Sequence, residues 1–102
     1  MTPLEEIKQF ISEYNVKKHP QALEKGKNLI NKYPNDINLL QAIAITFAHN
    51  KKFDDAIKIF EKILIQNPQF IEALINIGIS YYESDKLDKA LKYLEKATKL
   101  DT

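Results

Sequence analysis

Catalysis and metal binding need titratable side chains that converge, so the two histidines, His19 and His49, and the carboxylates near them are the first residues to weigh. His49 falls at the end of a helical stretch with Asp54 and Asp55 shortly after it, a grouping that reads as a solvated turn and not as a ligand set. His19 stands directly before Pro20 and reads as part of a helix start. Glu5 and Glu6 are adjacent, so a helix sends them to different sides and they cannot work as an acid and base pair. There is no cysteine, which removes thiolate catalysis, disulfides and cysteine-ligated zinc. Gly26 and Gly78 are the only glycines, and both lie within helical patterns, leaving no glycine loop to cradle a phosphate. The chain is therefore read as non-enzymatic, with no cofactor and no metal.

Composition narrows the partners. The 15 basic residues are all lysine and are nearly matched by 14 acidic ones, for a net charge of +1. That balance gives no general attraction to a polyanion or an acidic membrane, and the lack of arginine removes the best residue for forked contacts with phosphate or guanine. Neither nucleic acid nor membrane is an expected partner. No apolar run approaches the roughly 20 residues of a membrane helix, and Glu5 and Glu6 close behind Met1 are unlike the basic start of a signal peptide. A soluble, cytoplasmic protein is expected. At 102 residues and 44% hydrophobic, one domain spanning 1–102 is the default.

The elements that position the surface are helices throughout. Thr2-Pro3-Leu4-Glu5 reads as a cap, a first-turn proline and a capping-box glutamate, opening a helix whose apolar stripe is Leu4, Ile7, Phe10, Ile11 and Tyr14. Pro20 opens the second, with Ala22, Gly26, Leu29 and Ile30 as its stripe, and Tyr33-Pro34 ends it near Lys32. Asn35-Asp36 supplies the next cap. Four further helices are expected over about 37–49, 54–66, 70–83 and 87–100. Asn50 is the expected left-handed residue between the third and fourth, and Asn67-Pro68 ends the fourth.

These helices repeat. Leu74, Ile77, Gly78 and Tyr81 share one stripe, as do Ala90, Leu94 and Ala97. Moving upstream from each by one constant interval gives Leu40, Ile43, Ala44, Phe47, Ala56, Phe60 and Ile63, matched in size and polarity. Pro34 and Pro68 keep the same interval. The spacing Leu74-x2-Ile77-Gly78-x2-Tyr81 followed by Ala90-x3-Leu94 resembles the tetratricopeptide repeat. The likeness covers about residues 4–102, with units at about 3–36, 37–70 and 71–102. In the first unit Ile11 takes the glycine position, and the step from Tyr14 to Ala22 is one residue shorter than Phe47 to Ala56 or Tyr81 to Ala90, so a tighter or rotated helix pair is expected there.

The resemblance implies an all-α, right-handed superhelical solenoid of three stacked antiparallel helical hairpins. It also implies a protein-protein interaction module that binds a peptide or protein segment on its concave face. Carried onto this chain, the lining is Lys8, Ser12, Asn38, Gln41, Ile45, Glu72, Ile75, Asn76, Ile79 and Tyr82. Chaperone-binding members of the family clamp a C-terminal carboxylate at five positions, which here hold Lys8, Ser12, Ala42, Glu72 and Asn76. Only Lys8 keeps the family's residue type and Glu72 carries the wrong charge, so that function is not expected. A second reading is an assembly element. In a solenoid the last unit normally needs a cap or a partner, and Leu87, Leu91, Tyr93 and Leu94 are the expected edge for a homodimer or for additional repeats of a larger protein such as a transferase.

Overall fold

The four prolines frame the helices. Pro3 and Pro20 are each the first residue of a helix, where the missing N–H leaves no bond unmade, and Pro34 and Pro68 follow helix ends closely. The helices are α1 (Pro3–Lys17), α2 (Pro20–Lys32), α3 (Ile37–His49), α4 (Phe53–Gln66), α5 (Ile71–Glu83) and α6 (Leu87–Leu100). The structure, a computed structural model, describes residues 2–17 and 20–101, with side chains at 2–10, 12 and 24–101. No strand occurs among the described residues. The reading of His19 as a cap, the shortened turn before Ala22, and the packing of Ile11, Tyr14 and Ala22 lie outside the described residues.

Local chemistry explains the helix ends. The Glu5 amide donates to Thr2 Oγ1 at 3.2 Å, and the Leu39 amide donates to Asp36 Oδ1 at 3.0 Å, so both expected caps form. Asp54 and Asp55 sit in the first turn of α4, where negative charge complements the helix dipole. The α3 to α4 turn departs from expectation. Asn50 keeps φ at −92°, and Lys51 takes the left-handed conformation with φ at 62°. The reason is that Asn50 Nδ2 donates to the Thr46 carbonyl at 2.8 Å, which holds Asn50 as the helix cap and moves the chain reversal one residue on. The Lys51 and Lys52 amides then donate to the Ala48 and Phe47 carbonyls at 3.0 and 2.9 Å. The same closure recurs one repeat later, with Asp85 at φ 64° and the Lys86 amide 2.8 Å from the Tyr81 carbonyl.

Packing runs in series. α1 meets α2 and α3, α2 meets α3, α3 meets α4 and α5, α4 meets α5, and α5 meets α6, in a body of 42 × 25 × 20 Å. The repeated stripe is the core: Leu40, Ile43, Ala44, Ala56, Phe60, Ile63, Leu74 and Ile77 are all fully buried. Each such large side chain contributes about 1.5–3 kcal/mol by leaving water. The hairpins close through pairs of unequal size. A Cβ on Gly78 would lie 2.6 Å from Leu94 Cγ, so only glycine allows α5 this close to α6. The first hairpin has its small residue on the second helix. Gly26 holds the repeat position that Phe60 takes in the second, and a Cβ there would meet Ile43 Cγ1 of α3 at 2.9 Å and Phe10 Cζ of α1 at 3.2 Å. The result is a solenoid of stacked helical hairpins.

Candidate functional site

The first helices of successive hairpins lie side by side, and between α3 and α5 they leave a cleft of about 280 Å³. Three of the expected lining residues meet there: Ile45 from α3, with Asn76 and Ile79 from α5. Helical spacing accounts for this, since Asn76 and Ile79 are three apart on α5 and Ile45 faces them from α3. Ile79 is 44% exposed, so an apolar surface of substantial size faces solvent. Phe60 forms part of the wall, and Ala48 and Ser80 continue it. His49, Lys51 and Glu83 ring one end, which gives an apolar centre with charged and polar groups at its rim.

Beside the cleft, Gln41 Nε2 donates to Glu72 Oε2 at 2.6 Å and ties α3 to α5. Glu72 is thereby a carboxylate already engaged by a neighbouring amide. Lys8, Ser12 and Asn38 are exposed but do not line the cleft. Tyr82 is exposed on α5 outside it. Ile75 belongs elsewhere, in a groove at the C-terminal end that it shares with Ile71, Leu94, Ala97, Thr98 and Asp101. It lies one turn nearer the N-terminus of α5 than Ile79, beside the C-terminal end of α6.

The expected assembly edge divides in two. Leu87 and Leu91 are 59% and 58% exposed, whereas Tyr93 and Leu94 are half-buried. Leu94 fills the space opposite Gly78, and the Tyr93 ring lies 5.7 Å from that of Tyr81, so both turn into the hairpin and leave the edge. Burial beside Tyr93, with the charges of Tyr93, Glu61 and Asp54 nearby, pushes the Tyr81 hydroxyl above its ordinary range.

Ala48, His49, Lys51 and Glu83 were not read as lining residues from sequence. Ala48 and His49 follow Ile45 by three and four positions, and Glu83 follows Ile79 by four, so extending the same helical stripe by one turn finds them. Lys51 has no such signal, because it reaches the cleft through its left-handed backbone. Among the described residues no cluster of histidine, cysteine or carboxylate side chains could hold a metal ion, and no helix is long and apolar enough to cross a membrane.

A family model described as Tetratricopeptide repeat matches residues 47–102. No curated protein matches the sequence. Among solved structures, MamA MSR-1 superposes with a TM-score of 0.89 at 21% identity, over 98% of this chain and 57% of that one. MamA AMB-1 gives 0.90 at 21% identity, over 98% and 59%. The second TPR of Spaghetti (RPAP3), bound to HSP90 peptide SRMEEVD, gives 0.83 at 17% identity, over 96% and 91%. The chain thus spans under two thirds of the length of these MamA structures.

Proposed function

Because this chain belongs to the tetratricopeptide repeat family, we propose that it is a protein-protein interaction module whose α3/α5 cleft receives a segment of a partner protein. The observation that carries this reading is the exposed apolar centre of that cleft, Ile45 and Ile79, beside Asn76 and within a rim of His49, Lys51 and Glu83. An extended segment would seat an apolar side chain on the two isoleucines while Asn76 hydrogen-bonds its backbone. Three units, at about 3–36, 37–70 and 71–102, act together as one non-catalytic, cytoplasmic domain in this reading, with protein and not nucleic acid or membrane as partner.

The likeness to the peptide-bound Spaghetti structure supports peptide binding as a class, but the carboxylate-clamp positions argue for different ligand chemistry. Glu72, hydrogen-bonded to Gln41, would repel a terminal carboxylate at that point. The test is capture of partners from the source cell with the wild-type chain and with Ile79→Glu, followed by mapping of the bound segment with synthetic peptides. Ile79→Glu is expected to weaken binding by tenfold or more, since about 1.4 kcal/mol is tenfold and a desolvated carboxylate in an apolar contact costs at least that. Equal binding by the two proteins would overturn the reading, as would tight concave-face binding of an acidic chaperone-tail peptide.

A second reading, assembly through the C-terminal end, is favoured by one comparison. Ile57 of α4 is 5% exposed, and Leu91, its counterpart in the next repeat, is 58% exposed. An interior hairpin therefore covers this position and the last one leaves it open. Leu91→Glu should abolish any concentration-dependent association seen by sedimentation. A wild-type chain that stays monomeric at high concentration would count against self-association.

A further inference from the structure

A second groove, of about 380 Å³, runs between α2 and α4, away from the α3/α5 cleft. Ile30, Phe47 and Ile59 contribute its apolar surface, and Lys27, Lys58 and Lys62 its charge, against the single acidic lining residue Asp55. The repeat does not require this groove. At the equivalent positions of the next repeat, Phe47 becomes Tyr81 and Ile59 becomes Tyr93, and those two half-buried rings pack 5.7 Å apart. Lys27 becomes Glu61 at the same time. The two sites carry the same balance of charge, since Asp55 becomes Lys89 as Lys27 becomes Glu61, and they differ in that tyrosine fills the later one where the earlier one has the smaller isoleucine.

Two further features point outward from the same place. Lys58 and Lys62 are four apart on α4 and share one face of it, with Asp54 and Asp55 in the turn before Lys58. Ile65 continues that stripe and is 82% exposed, the most exposed large apolar side chain among the described residues. A surface of this kind gains from a ligand that brings both carboxylates and apolar groups.

We propose that the α2/α4 groove docks an acidic, amphipathic segment of a partner protein. Its carboxylates meet Lys58 and Lys62, and its apolar side chains rest on Ile30 and Ile59 and reach Ile65. Lys27, held with its Nζ 5.7 Å from the Phe47 ring centroid, closes the other wall. Charge complementarity selects the acid, and the recessed apolar floor selects a side-chain-bearing segment over a flat bilayer. Nucleic acid fits less well, because Asp55 lies in the groove and the chain has no arginine. This site is separate from the α3/α5 cleft and does not depend on it.

The test uses the full chain and a fluorescein-labelled helical peptide about as long as α4, with glutamates one turn apart beside a leucine stripe, and a control in which lysines replace the glutamates. Saturable binding of the acidic peptide is expected, weakening as salt is raised. The double variant Lys58→Glu, Lys62→Glu should lose tenfold or more in affinity, and Ile59→Tyr should lose as much with every lysine still present. Ile79→Glu should bind as the wild type does, which separates this site from the concave face. Chemical-shift changes at Phe47, Ile59 and Ile65 on adding the peptide would locate it without any substitution. Binding that the lysine pair does not affect, equal binding of the control, shifts confined to other residues, or preference for phosphatidylserine vesicles over the peptide would each overturn the proposal.

Discussion

Replacing Gly78 with alanine tests how closely α5 and α6 are packed. The new Cβ would lie 2.6 Å from Leu94 Cγ and 2.7 Å from its Cδ2. Cγ is the branch point of that side chain and moves only through χ1, which carries both Cδ atoms with it, so either the whole side chain leaves its packed rotamer or the two helices part. Overpacking of this kind costs about 1–3 kcal/mol, and alanine returns about 1 kcal/mol through its better helix propensity. With contacts as short as these the upper half of that overpacking range applies, so a net loss of about 1–2 kcal/mol is expected, or a Tm lowered by about 4–15 °C for a domain of this size. Gly26→Ala is the internal control. Its Cβ would meet Ile43 Cγ1 at 2.9 Å, Ile43 Cδ1 at 3.2 Å and Phe10 Cζ at 3.2 Å, mostly the outer ends of side chains that can shift. The two effects then nearly cancel, and Gly26→Ala should change stability by less than about 1 kcal/mol. Urea unfolding followed by circular dichroism measures both variants. Adding Leu94→Ala to Gly78→Ala should cost less than Leu94→Ala alone, because the clash is relieved. A Gly78→Ala chain as stable as the wild type, or less affected than Gly26→Ala, would refute the packing account.

Other outcomes follow from the turns and the charged pairs. Lys51→Gly and Asp85→Gly each remove a side chain from a left-handed backbone, and each should raise stability by up to about 1 kcal/mol in the same unfolding assay. Tyr81 holds its proton more tightly when folded, chiefly through burial, so its stabilising effect is intact below the ordinary tyrosine pKa and is lost as pH rises towards the folded value. Tyr81→Phe should therefore flatten the alkaline limb of a stability against pH curve. Glu6 is held below the ordinary carboxylate range by a 2.7 Å hydrogen bond from Lys32 Nζ, so its contribution is present above that range and fades as pH falls through the lowered value. Glu6→Gln should reduce the acid limb slightly, as expected for a pair at the surface.

The repeat and its core could be read from sequence because helix packing imposes a periodic demand on residue size, and Leu40, Ile43, Phe60, Leu74 and Ile77 meet it without interruption. Caps at Thr2 and Asp36 were legible for a similar reason, since a single side chain decides each. Details that depend on two competing partners were not. Asn50 suits a left-handed turn, yet the Thr46 carbonyl captures its amide and Lys51 takes that conformation instead. Tyr93 and Leu94 look like edge residues by hydrophobicity, but the cavity opposite Gly78 and the ring of Tyr81 draw them inward. Ile75 and Ile79 share a face of α5 and a polarity, and only the neighbours at each height along the helix, α6 beside the first and α3 beside the second, assign them to different grooves. The lysine-lined α2/α4 groove depends on the difference between Ile59 and Tyr93, which is visible in the sequence once the repeat register is used to compare volumes and not only hydrophobicity.

Methyl resonances offer the most direct test of the concave-face account, observed while a partner segment captured by the wild-type chain is titrated in. Ile45, Ala48 and Ile79 should shift together and saturate at one affinity, with little change at Leu87 and Leu91. Shifts centred on Leu87 and Leu91, with the α3/α5 cleft unmoved, would contradict it.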